Sequence, residues 1–81
     1  MLDLHGAGAI EAAEMVRRFI AAQRRARPGC IVHIVTGKGR GSRGRPVLKP
    51  LVARLLRADL AAHVAEHSRD LDDGGYLVRL R

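Results

Sequence analysis

The chain holds 81 residues, with 15 Lys+Arg against 8 Asp+Glu, for a formal net charge of +7. That length allows one small domain, residues 1–81, with a thin core, while 47% hydrophobic residues in periodic runs exclude a disordered tail. A single Cys excludes a disulfide scaffold and fits a reducing, cytoplasmic compartment; no apolar stretch reaches the roughly 18 residues of a membrane span.

In residues 1–5, Leu2 and Leu4 alternate with Asp3 and His5, the period-2 pattern of a half-buried strand. Gly6-Ala7-Gly8 gives a tight exit. Residues 9–26 predict a helix with Ile10, Ala13, Val16, Phe19 and Ile20 on its apolar face. Pro28-Gly29 stops it. Residues 30–35 form a β-branched run of the kind found in buried strands. Residues 36–44, TGKGRGSRG, are a glycine-rich basic loop. A second helix follows. Pro46 is tolerated in a first turn, and Pro50 suits a start near itself. Val47, Leu48, Leu51, Val52, Leu55 and Leu56 supply its apolar side. Residues 59–67 either continue that helix or begin a short strand. Residues 70–75 read as a loop. Residues 76–80 alternate Tyr76, Val78 and Leu80 against Leu77 and Arg79, a final strand. The order predicts an α+β, two-layer α/β sandwich, βαβαββ. Its four-stranded mixed sheet carries two helices on one face, and the first two strands are parallel.

The charge is clustered. Residues 15–58 carry 12 of the cations and no Asp or Glu. Such a block reads as an electrostatic footprint for phosphates. With Phe19 and Tyr76 the only rings of their kind, stacking on several bases is not the expected mode of binding.

Asp3 and His5 stand at i and i+2 near the carboxyl end of the first strand, the usual ligand edge of strand–helix folds. A carboxylate beside an imidazole can fix its tautomer and make it a proton-transfer group. The same residues also suit a bland pairing, an Asp capping the helix and a His ending a strand. The loop after the second strand falls beside them. Its glycines expose backbone amides, it leads to a helix N-terminus, and Lys38, Arg40, Arg43 and Arg45 add charge. It is not a P-loop, since the required spacing is not met. His63 and His67 would lie i, i+4 on a helix, without an evident third metal ligand. His33 reads as a satisfied sheet-face histidine, and Cys30 as a small buried hydrophobe.

Two stretches resemble the Smr (small MutS-related) domain family: Leu2-Asp3-Leu4-His5-Gly6, similar to its LDxHG signature, and Thr36-Gly37-Lys38-Gly39, similar to its HGxG/TGxG signature. Gly74-Gly75 before the last strand also fits, whereas Gly41-Ser42 stands where the family carries His-Ser. The resemblance covers essentially the whole chain. It implies nucleic-acid binding and, in several members, endonuclease activity, either DNA nicking or RNA cleavage. It makes Asp3 and His5 the catalytic pair. The nucleic-acid- or phosphate-binding residues are then Thr36, Gly37, Lys38, Gly39, Arg40, Ser42 and Arg43.

The expected protein is therefore an endonuclease, or alternatively a non-catalytic module that binds nucleic acid or the ribosome. It is expected to act as a monomer, away from membranes and without a resident cofactor. A divalent metal enters only if the substrate is DNA, with Asp3 the one obvious ligand.

Overall fold

The computed structural model describes residues 1–37, 48–70 and 74–81. In chain order these form β1 (Leu2–Asp3), α1 (Ala9–Ala26), β2 (Ile31–Val35), α2 (Leu48–Arg57), a 3₁₀ turn (Ala61–His63), β3 (Val64–Arg69) and β4 (Gly75–Leu80). The sheet order is β1-β2-β4-β3. β1 runs parallel to β2, and β4 is antiparallel to both β2 and β3. The fold is the predicted α+β sandwich, with both helices on one side of a four-stranded mixed sheet.

Alternation decides what faces the helices. Val32 and Ile34 of β2, and Tyr76, Val78 and Leu80 of β4, are buried. They meet Val16 and Ile20 of α1 and Val52, Leu55 and Leu56 of α2 in one core. The β-branched run of β2 is thus covered on one face only. Ile31 is 66% exposed on the other, because both helices sit on the same side.

The apolar stripe of α1 differs from the sequence expectation. Its buried residues are Ala12, Val16 and Ile20, spaced i, i+4, i+8, while Ala13 and Phe19 are only partly covered. Ile10 is 85% exposed. At roughly 100° per residue it lies about 200° around the helix from Ala12, so the row that buries the small alanine turns the isoleucine outward.

Pro50 occupies the first turn of α2, where an amide would have no intrahelical acceptor. Pro46 and Val47 lie outside the described residues. The ambiguous stretch 59–67 does not continue α2, which stops at Arg57; a 3₁₀ turn intervenes before the strand. The Leu60 amide closes α2 on the Leu55 carbonyl at 2.8 Å, and the His63 amide bonds the Leu60 carbonyl at 2.9 Å. Leu60 and Val64 are buried, and β3 begins at Val64. His63 and His67 therefore do not share a helix face.

Candidate functional site

Parallel pairing of β1 with β2 sets Asp3 opposite Val35, and the Leu4 amide bonds the Val35 carbonyl at 2.8 Å. Both strands therefore run out at the same end of the sheet. His5 leaves β1 there, and Thr36-Gly37 leaves β2. A Cβ built on Gly37 would lie 3.8 Å from His5 Cδ2, so the imidazole rests beside this glycine. Gly37 has φ +93°, a conformation that favours glycine.

The carboxylate of Asp3 accepts a hydrogen bond from the His5 backbone amide at 2.9 Å. It fixes the turn that presents His5, acting through the main chain. Both residues are exposed. The His5 ring makes no hydrogen bond among the described residues, which leaves it available to a ligand. The next turn closes through the Ala7 amide on the Leu4 carbonyl at 2.9 Å. α1 then begins at Gly8, an N-cap without a side-chain cap bond. The first amides of α1 lie at this same end, where the helix dipole favours an anion.

The root of the glycine-rich loop is anchored from β4. The Thr36 and Gly37 amides donate to the Gly74 carbonyl at 2.8 and 3.0 Å, and the Thr36 hydroxyl donates to it at 3.2 Å. Thr36 is buried, so its hydroxyl faces inward. Gly75 allows the strands to close. A Cβ there would fall 2.1 Å from the Ile34 carbonyl oxygen. Lys38, Gly39, Arg40, Ser42 and Arg43, named from the sequence as phosphate-binding residues, lie outside the described residues, as does Arg45.

A second support was not visible in the sequence. Asp70 Oδ2 lies 2.8 Å from His33 Nε2, and Asp70 Oδ1 accepts the Gly74 amide at 3.4 Å. The Asp70 amide donates to the Gly75 carbonyl at 3.1 Å. Asp70 thus braces Gly74, whose carbonyl holds Thr36 and Gly37. His33 is the satisfied sheet-face histidine expected from its alternation. The signal for Asp70 is weak in one dimension, because its partner is 37 residues away.

Cys30 is a half-buried free thiol. Among the described residues no group of three or more His, Cys, Asp or Glu could hold a metal ion. No helix among them is long and apolar enough to cross a membrane.

Architecture and site together define a small α+β protein in which His5 and Gly37 meet at the carboxyl end of two parallel strands. The family model of the Smr domain matches residues 2–81. The chain belongs to the Smr domain family, a family of nucleic-acid-binding and nuclease-type domains. No curated protein and no solved structure matches it.

Proposed function

We propose that this chain is an endonuclease that cleaves phosphodiester bonds in nucleic acid, with RNA the favoured substrate. The observation that carries the reading is the exposed His5 imidazole, set against Gly37 at the root of the basic loop. His5 is the proton-transfer group. It takes the proton of a 2′-OH as base, or gives one to the leaving oxygen as acid. RNA suits this arrangement because it carries its own nucleophile. Asp3 is a positioning residue that holds the His5 turn through the backbone amide. Thr36 and Gly37 anchor the loop root on Gly74. Lys38, Gly39, Arg40, Ser42 and Arg43 bind the phosphate and meet the charge that develops on it in the transition state. With DNA, which lacks that hydroxyl, a divalent metal would have to supply the activated water, and Asp3 is the residue that would hold it.

A second reading is a non-catalytic module that binds RNA, branched DNA or the ribosome. It is favoured by the use Asp3 makes of its carboxylate, which meets a main-chain amide where a catalytic dyad would engage the ring.

The deciding assay is cleavage of single-stranded RNA, duplex DNA and branched DNA by the parent chain and by His5→Ala, each with and without EDTA. The expected result is RNA cleavage by the parent, lost in His5→Ala with binding retained. Equal cleavage by both chains removes His5 from the mechanism. Binding of all three without cleavage by either establishes the module.

A further inference from the structure

We infer that the end of the sheet opposite His5 is a second phosphate-binding surface, so that one nucleic acid is held at two places along the molecule. The inference rests on the nucleic-acid reading above, and it adds the extent of the substrate.

α1 starts at the His5 end and runs back along the sheet before β2 begins. Its 18 residues cover about 27 Å at 1.5 Å per residue. Arg24 and Arg25 stand in its last turn and Arg27 is its C-cap, and all three are exposed. β4 ends beside them: the Leu80 amide bonds the Cys30 carbonyl at 2.9 Å, and the exposed Arg81 follows. A helix C-terminus attracts cations to its last turn, which accounts for Arg24 and Arg25 in part. It does not account for Arg81, which follows β4.

Among the described residues, three arginines are paired with acids, while the group at this end, like Arg54 and Arg57 of α2, is not. Arg17 holds Asp59 at 2.8 Å, Arg18 holds Glu14 at 3.4 Å and Arg79 holds Glu66 at 3.3 Å. Arg24, Arg25, Arg27 and Arg81 have no acidic partner among the described residues. Arg81 places only its Nε, on the Ala61 carbonyl. No Asp or Glu occurs anywhere in residues 15–58. The strand neighbour that does bring an acid, β3, brings Glu66, and Arg79 takes it. This end of the fold thus presents four exposed guanidiniums without acidic partners among the described residues, suited to a polyanion with regularly spaced charges.

The two charged ends lie about 25 Å apart, by the rise of α1 and of β2 with its flanking residues. At 3.4 Å per base pair that corresponds to about seven base pairs. A shorter nucleic acid seated at His5 does not reach the arginine cluster.

The test is binding of hairpins with stems of about 5 and about 20 base pairs, made in DNA and in RNA and chosen to fall on either side of that span. The proteins are the full chain, Arg24→Gln/Arg25→Gln/Arg27→Gln and the charge-retaining Arg24→Lys/Arg25→Lys/Arg27→Lys. On the long DNA stem the Gln variant should lose up to about 2.7 from the magnitude of the log–log salt slope, at about 0.9 per phosphate contact. Between 50 and 200 mM salt, parent affinity should then fall about 40-fold more than that of the variant. On the short stems the two should agree, and the Lys variant should follow the parent throughout. A Gln variant equal to the parent on the long stems overturns the inference and leaves the His5 site standing, as does an equal loss on short and long stems. A Gln variant that keeps the long stems but loses poly-glutamate overturns it in favour of an acidic protein. A parent that binds neither stem overturns the nucleic-acid reading itself.

Discussion

Replacing Gly75 by Ala should unseat β4 from β2 and slacken the loop root with it. The new Cβ would sit 2.1 Å from the Ile34 carbonyl oxygen and 3.0 Å from both the Ile34 carbonyl carbon and Val35 Cα. All three are backbone atoms inside a sheet, so none can swing aside as a side-chain tip would. Ordinary contact begins at 3.4 Å, so the strands must part by about 1.3 Å. Overpacking of this kind costs about 1–3 kcal/mol. The same movement stretches the two amide bonds from Thr36 and Gly37 to the Gly74 carbonyl, each worth about 1 kcal/mol net. Against this, Ala restricts the unfolded chain and returns about 0.4–1 kcal/mol. The net loss is about 3 kcal/mol, a large share of the roughly 4–12 kcal/mol that a chain of this length has in total. Tm should fall by roughly 12–24 °C. The control is Gly8→Ala, the same chemical change where no atom lies within 4 Å of the new Cβ. Its loss should stay under about 1 kcal/mol, a weaker N-cap being the only cost. Urea unfolding followed by circular dichroism measures both, with a constant m-value as the check on two-state behaviour. Equal losses in the two variants would refute the reasoning, because backbone atoms crowd the new Cβ only at Gly75.

Asp3→Asn should keep most of the cleavage rate, since its amide oxygen can still accept the His5 amide, while Asp3→Ala should lose it; single-turnover rates at saturating protein read the difference. A rate lost equally in both would assign the negative charge itself to the chemistry. Leu56→Ala should cost about 3 kcal/mol, as Leu56 is 1% exposed in the core between α2 and the sheet. Ile10→Ala should stay within about 0.5 kcal/mol in the same urea titration, because Ile10 faces water.

The parts of the fold legible in the sequence were those governed by local periodicity. Val32 and Ile34, and Tyr76, Val78 and Leu80, alternate as strands do, and Pro28-Gly29 marks the end of α1 without help from the rest of the chain. Residues 59–67 were not legible, because Leu60 and Val64 are four apart and suit a helix face as well as a turn followed by a strand. The facing of α1 misled for a related reason. Ile10 is the larger hydrophobe, but the row that is buried starts with Ala12 and leaves it outside. At the site, the meeting of His5 with Gly37 follows from two parallel strands ending together, which the strand–helix–strand order foretold. The bond from the His5 amide to Asp3 depends on the angle of one turn. The brace from Asp70 to His33 depends on β4 lying between their strands. Neither is written in the spacing of residues.

The sheet order has a consequence for how the chain is made. β4 follows both β2 and β3 in the chain, yet it lies between them and holds both. As the chain emerges from the ribosome, β1, α1 and β2 can associate early, but β2 keeps one edge bare and β3 has no neighbour. Tyr76, Val78 and Leu80 are made after every other residue of the core. A nascent chain shorter than about residue 75 holds its hydrophobic helices over a sheet that cannot close, the kind of species that chaperones shield. The sheet therefore cannot close until β4 has been made and takes its place between β2 and β3.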